Sequence, residues 1–258
     1  MIRAEAEAFF AALRFFTRLP VPAWVGHSAE QLNRAARYFP LVGALVGAIG
    51  GGVTLVASLL WPPSIAVLMG MAATLLATGA FHEDGLADSI DGFGGGWTRE
   101  QVLAIMKDSR IGSYGAIGIA LALLMKFEAL STLAVLTEYE SGMIAAALIA
   151  GHAVSRLSAT TLIFSLEYAR ADAESKSKPL ATRMGATELA VAALCGLAPC
   201  LLLPLDQVAI ALALVALITL LCARYFVRRI GGYTGDCLGA TQQLTELSFY
   251  LGLLCVSI

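Results

Sequence analysis

Charge is scarce in this chain. Only 14% of its 258 residues are Asp, Glu, Lys or Arg, against about 25% in a soluble domain, while 58% are hydrophobic and mean hydropathy is +0.77. That shortage excludes an ordinary water-soluble fold and reads as an integral membrane protein. The cysteines carry no framework either. Cys195, Cys200, Cys222, Cys237 and Cys255 form no CxxC pair, and four of them lie in or beside apolar stretches, as small buried thiols do. A zinc site or a structural disulfide is not expected from such spacing. No dense basic patch with interleaved aromatics occurs, so nothing points to a nucleic-acid partner. A secretory pattern is absent too, because Glu5 and Glu7 precede a short FFAALRFF run broken by Arg14. No internal repeat is evident.

What the chain has is long apolar runs. Seven can be marked, at about Tyr38–Leu60, Ser64–Phe81, Ser113–Leu136, Ser141–Leu166, Thr187–Leu203, Gln207–Ala223 and Ala240–Ile258. About 20 apolar residues cross the hydrocarbon core as a helix. The expected fold is therefore all-α, a polytopic membrane helix bundle of about seven transmembrane helices forming one domain over residues 1–258. The stretch around Phe9–Phe16 is too short and too charged to span, and reads as an interfacial amphipathic helix ended by Leu19-Pro20-Val21-Pro22. Glycines at 43, 47, 50, 51 and 52, and at 112, 115 and 118, give two of the runs small-residue stripes suited to close helix packing.

Basic residues orient the bundle. Of the 17, fifteen fall before the first run or in the loops after the second, fourth and sixth, and none falls in the three opposite loops. The other two, Lys126 and Arg156, lie inside predicted spans. The N-terminus and the loops around residues 82–112, 167–184 and 230–239 are thus expected on the cytoplasmic side of the membrane, and a site built from them would draw on soluble substrates.

One of those loops is a carboxylate island, FHEDGLADSIDGFGGGWTREQVLAIMKDSRIGS, from Phe81 to Ser113. Asp84, Asp88 and Asp91 stand at i, i+4 and i+7, which puts them within roughly 60° of arc on a helix. Three adjacent carboxylates repel unless a cation sits among them. Oxygen donors suit Mg²⁺, Mn²⁺ or Ca²⁺ better than zinc, and magnesium commonly combines one or two carboxylates with substrate phosphate oxygens. His82 reads equally as a ligand or as a hydrogen-bonding or packing histidine, and Glu83 points to a different helix face. The glycine run Gly92–Gly96 gains interest from Lys107-Asp108-Ser109-Arg110 beyond it, where Lys107 and Arg110 read either as membrane-edge anchors or as a phosphate clamp. A third cluster, Arg228-Arg229-Ile230-Gly231-Gly232-Tyr233-Thr234-Gly235-Asp236, opens onto the same side, so that Asp236 would join the metal site or accept a proton. Arg156 faces a partner or a cavity, or else snorkels to the membrane edge.

The motifs His82–Gly92 and Ile105–Gly112 strongly resemble those of the cobalamin synthase (adenosylcobinamide-GDP ribazoletransferase) family. Phe16-Thr17-Arg18-Leu19-Pro20-Val21-Pro22 and Gly232–Ala240 fit the same family, so the resemblance covers essentially the whole chain. It implies a multispanning inner-membrane enzyme that uses Mg²⁺ to condense adenosylcobinamide-GDP with α-ribazole or its 5′-phosphate, releasing GMP. On that reading Asp84, Asp88 and Asp91 hold the metal, and Lys107, Arg110 and Arg228 neutralise phosphate. Asp108 or Asp236 serves as base, with one of the first three aspartates as a further candidate. Lys176 and Ser175 contact the nucleotide or the corrinoid, and His82, Arg156 and Thr234 complete the substrate surroundings. Oligomeric state stays open. A CDP-alcohol phosphotransferase is the nearest rival, but its DGxxAR arrangement is absent, since Asp88 follows Ala87 with no arginine there. A cation-coupled transporter would place its acids near the bilayer midplane instead of at one edge.

Overall fold

The computed structural model describes residues 2–26, 28–136, 141–170, 181 and 184–255. Those residues form an all-helical bundle: α1 (Ile2–Phe16), α2 (Ala29–Ala35), α3 (Phe39–Ala57), α4 (Pro63–Thr78), α5 (Phe81–Gly95), α6 (Arg99–Ile105), α7 (Ser113–Leu136), α8 (Ser141–Ser165), α9 (Ala186–Leu197), α10 (Leu205–Ile230) and α11 (Gly235–Leu254). Among the described residues no strand forms, and Tyr168 and Tyr233 make an isolated bridge.

The all-α membrane reading holds; the count of seven spans is not confirmed. Among the described residues four helical stretches, Glu30–Ala57, Ser113–Leu136, Gly142–Ser165 and Leu205–Ile230, are long and apolar enough to cross a bilayer, and α4 with α5 would make a fifth if the pair were one bent span. The expected run Ser64–Phe81 stops early: α4 ends at Thr78, and α5 leaves it at 86°. Gly79 and Ala80, both left-handed with φ of 67° and 57°, make the corner. Such a φ is uncommon for a residue with a Cβ. A side chain at Gly79 would collide with the Arg18 guanidinium, and the Arg18 backbone N–H donates to the Ala77 carbonyl at 2.8 Å. The chain after α1 therefore locks the turn. We read α5, with its acids, as lying at the membrane edge outside the spans. The run Thr187–Leu203 is a short helix, α9, continued by a 3₁₀ turn over Ala198–Leu202. The described part of the run Ala240–Ile258 falls on α11 as far as Leu254, and α11 carries Thr241, Gln242, Gln243, Thr245 and Glu246 and turns them inward, where they are buried.

The glycine stripe of α3 packs as expected. A Cβ at Gly43, Gly47 or Gly51 would meet the backbone of His152, Leu148 or Ala145, so α3 and α8 run antiparallel in close contact. The N-terminal helix also forms. Its Ala11, Ala12, Leu13 and Phe16 are buried, and Phe16 packs edge-on against Phe39 at 4.5 Å.

The segments expected on one side of the membrane meet at one end of the bundle. Arg99, at the start of α6, donates to the carbonyls of Ile230 (2.9 Å) and Ala169 (2.7 Å). Tyr233 and the stretch after α8 exchange backbone hydrogen bonds, Tyr233 N to Glu167 O at 3.0 Å and Ala169 N to Tyr233 O at 2.8 Å. Arg229 donates to the Gly96 carbonyl at 2.7 Å. These links draw the ends of α5, α8 and α10 around the start of α11.

Candidate active site

The site is built where α5 crosses the first turn of α11. A Cβ on Gly85 would sit 3.2 Å from the Gly239 Cα and the Asp236 carbonyl, and one on Gly239 would sit 3.1 Å from the Gly85 Cα. Two glycines facing each other let the helices touch backbone to backbone. The crossing carries Asp236, 145 residues further along than Asp91, to the aspartates of α5.

Asp84 is exposed, Asp88 half-buried and Asp91 buried, so the three step from solvent into the protein along one face of α5. Asp88 feels them all. Partial burial, followed by the charges of Asp84, Asp236 and Asp91, raises its proton affinity from the ordinary carboxylate value of 3.8 to about 7, with Arg170 opposing. Asp236 is raised as well, chiefly by burial, while its 2.9 Å ion pair with Arg170 pulls the other way. Thr234 caps α11 by accepting from the Cys237 N–H at 3.2 Å, and its hydroxyl lies 3.4 Å from the Asp236 carboxylate. The threonine is fully buried, so its contribution is to hold the aspartate and the helix start.

Asp91 has a different occupation. One carboxylate oxygen accepts from the Gly112 N–H at 2.7 Å and the other from the Gly115 N–H at 2.8 Å. It thereby caps the first turn of α7 from another helix, satisfying amides that no intrahelical carbonyl can reach. The expected triad is thus split, with Asp84 and Asp88 open and Asp91 bound to backbone. Among the described residues no three His, Cys, Asp or Glu side chains converge to ligate one ion by themselves. The donor chemistry still fits magnesium, which takes one or two carboxylates and completes its shell with phosphate oxygens and water. Asp84 and Asp88, with Asp236 beside them, are a hard-oxygen set of unbalanced negative charge.

The cations divide in the same way. Arg110 grips Asp108 in a bidentate pair, Nε to Oδ1 at 3.0 Å and Nη2 to Oδ2 at 2.5 Å. That pairing holds Asp108 down at about 2, too weakly basic to take a proton at neutral pH, and it occupies the arginine. Asp236 or Asp88 suits the base role better. Lys107 and Arg228 are exposed at the same end of the bundle. Lys176 falls outside the described residues.

His82 and Arg156 lie away from the acids. His82 is buried and stacks on Phe16 at 5.1 Å, the packing role of its two readings. Arg156 does not snorkel. It is 2% exposed, donates to the His152 carbonyl at 3.0 Å, sits 5.9 Å from the Phe16 ring, and keeps Nε without a partner. Both line a small apolar cavity of about 30 Å³ between α1, α5, α8 and α11.

Sequence reasoning gave no such role to Arg170, which neutralises Asp236, or to Arg99 and Arg229, which stitch the loops. It also missed Glu246, fully buried in α11 and ion-paired to Lys126 at 3.0 Å. A lone glutamate in an apolar run is the same intramembrane-charge signal that singled out Arg156, so Glu246 was findable. Nothing local marks Arg170, whose partner is 66 residues away.

Known proteins resemble this chain along its length. Residues 8–254 match the family described as cobalamin-5-phosphate synthase. Proteins named adenosylcobinamide-GDP ribazoletransferase are 51% identical in Shewanella amazonensis and 49% identical in Shewanella frigidimarina, each alignment covering 98% of this chain and 96% of the relative. One from Ralstonia nicotianae is 49% identical over 95% of this chain and 94% of its own length. No solved structure matches. The chain is a cobalamin-synthesis transferase and belongs to the cobalamin-5-phosphate synthase family.

Proposed function

We propose that this protein condenses adenosylcobinamide-GDP with α-ribazole or its 5′-phosphate, giving adenosylcobalamin or its 5′-phosphate and GMP, with Mg²⁺ as cofactor. The site faces the cytoplasm from the inner membrane. The name shared by the relatives supports the substrates. The observation that carries the chemistry is the glycine-to-glycine crossing of α5 and α11, which gathers Asp236 with Asp84 and Asp88 at the end of the bundle where the basic loops meet.

In this reaction a ribose hydroxyl attacks the phosphorus that carries the cobinamide arm. A new P–O bond forms, the diphosphate P–O bond breaks, and GMP departs with the bridging oxygen. Such transfers depend on in-line positioning and charge neutralisation. Asp84 and Asp88 would hold magnesium, which supplies charge neutralisation for the diphosphate and the leaving phosphate. Asp236 receives the hydroxyl proton. Arg170 positions Asp236 through their 2.9 Å bond, and Thr234 fixes the helix turn that presents it. Lys107 lies exposed beyond the glycine run, where it neutralises further phosphate oxygens. Arg110 joins it only when its grip on Asp108 is released.

The test is GMP release by the purified full chain from adenosylcobinamide-GDP, with α-ribazole or α-ribazole 5′-phosphate, across a magnesium titration. Magnesium-dependent GMP release with either acceptor is expected. Release of GMP at full rate in chelator, or no product with either acceptor, refutes the proposal.

A further inference from the structure

The side of α5 opposite its aspartates walls a groove of about 760 Å³, bounded further by α7, α10 and α11. Leu86, Ile90 and Phe93 recur along that side at helical spacing, so α5 shows acid to one side and hydrocarbon to the other. Both α7 and α10 are long and apolar enough to span a bilayer, and only 28% and 22% of their apolar windows are buried within the protein. The groove between them therefore faces lipid.

Two further features separate it from an ordinary lipid-facing surface. Ser89, 3% exposed, lines the groove, and its hydroxyl has no hydrogen-bond partner. The groove stripe of α10, at residues 218, 222 and 225, also continues one turn on to Arg229. The Arg229 guanidinium lies 5.5 Å from the rings of Phe93 and Tyr225, both groove residues. Its hydrogen bonds go to the Tyr225 hydroxyl and to the carbonyls of Phe93 and Gly96. Those partners are neutral, so no carboxylate among the described residues balances its charge. Arg228 is exposed next to it. A cation, a buried hydroxyl and an apolar trough thus follow one another from membrane edge to interior.

We propose that the groove binds one anionic phospholipid. An acyl chain runs along Leu221, Leu244 and Leu251, an ester carbonyl accepts from the Ser89 hydroxyl, and the phosphate rests on Arg229 and Arg228. Two arginines at the membrane edge favour a net-negative head group over a zwitterionic one. Such a lipid braces the back of the helix that presents Asp84 and Asp88. The inference needs the membrane-spanning helices and not the assigned reaction.

The full chain, delipidated in detergent, is titrated with dioleoyl phosphatidylglycerol, dioleoyl phosphatidylcholine or glycerol phosphate. Retained lipid is counted by native mass spectrometry, and the thermal midpoint is followed in parallel. One phosphatidylglycerol is expected to bind about tenfold more tightly than phosphatidylcholine, with no binding of glycerol phosphate. Leu244→Trp fills the groove and Arg228→Gln/Arg229→Gln removes the charge; both lose the preference. Should either fail to fold, Ser89→Ala decides, because it removes only a hydroxyl without a protein partner. That variant weakens phosphatidylglycerol binding about fivefold, the worth of one neutral hydrogen bond, with the lipid-free midpoint unchanged or raised. Equal affinity for the two lipids overturns the proposal, as does binding of glycerol phosphate or unaltered phosphatidylglycerol binding in Ser89→Ala.

Discussion

Two groups of carboxylates in this protein face opposite electrostatic problems. At the end of the bundle Asp84, Asp91 and Asp236 surround Asp88, and Arg170 is the cation that opposes them. In the core Glu246, fully buried, meets Lys126 at 3.0 Å and His152 at 3.3 Å. It also accepts from Gln242 at 2.6 Å and from the Tyr250 hydroxyl at 3.1 Å. Arg156 lies one turn along α8 from His152, 3.2 Å from its Nδ1. The first group has negative charge to spare and is open to a cation and its phosphate ligands. The second is compensated within the protein and ties α7, α8 and α11 together. A hydrogen bond joins them, from Gln243 in the core to Glu83, the neighbour of Asp84, at 2.9 Å. A buried network holds the helices, and the site they present is left electrostatically unfinished.

Breaking the core should have the largest effect. Glu246→Ala strands Lys126 beside His152 and Arg156 in a dry interior and is expected to lower stability by about 3–5 kcal/mol, seen as an earlier unfolding midpoint in detergent. Glu246→Leu with Lys126→Met, which removes the charges together, should recover much of that loss. If the single change leaves the midpoint alone, the core is wetter than its burial indicates.

Changing the site should do the reverse. If Asp84 and Asp88 hold magnesium as proposed, Asp88→Asn or Asp84→Asn is expected to cut turnover by about 10³-fold or more, since the site would forfeit several kcal/mol of charge stabilisation. The unfolding midpoint should hold or rise as like-charge repulsion is relieved. Wild-type-like turnover of either purified variant across a magnesium titration would remove it from the site.

The acids also predict a pH dependence. Asp88 binds its proton at about 7 in the fold against an ordinary 3.8, so the folded chain holds more protons than the unfolded chain between those values. Its contribution to stability is complete below pH 3.8 and is lost as pH rises through 7. Asp88→Asn flattens that slope. The proposed magnesium site needs the carboxylate, so magnesium affinity, read by titration calorimetry, should fall as pH drops below about 7. Affinity that is flat from pH 5 to 8 would exclude Asp88 as a ligand.

Two smaller effects sharpen the division further. Asp91→Ala should cost about 1–2 kcal/mol of stability as α7 loses its cap, which distinguishes Asp91 from the two aspartates beside it. Lys107→Ala should raise KM for the diphosphate substrate about three- to fivefold with kcat unchanged, as befits an exposed charge. An unaltered KM would leave Lys107 as a membrane-edge residue.

Much of this was legible in the sequence. The shortage of charge and the apolar runs gave a helical membrane bundle, because hydropathy over about 20 residues reports burial in lipid directly. The run from 240 was harder. Its Gln242, Gln243 and Glu246 satisfy each other and Lys126 inside the bundle, a compensation that a window of hydropathy cannot see. The 86° corner was missed for a related reason, since it depends on Gly79, Ala80 and the distant Arg18 chain together. Asp108 looked like a base until the bidentate geometry of Arg110, two residues away, removed its proton affinity.

By itself the sequence determined the class of fold, the acid spacing on α5 and the family, because periodicity, composition and motif are properties of neighbouring residues. Tertiary structure alone decided which acids lie together. Asp91 went to the amides of α7, and Asp236 arrived beside Asp88 through two glycines 154 residues apart. The reason is geometric: how closely two helices cross depends on both surfaces at once, and neither stretch of chain carries the other's shape.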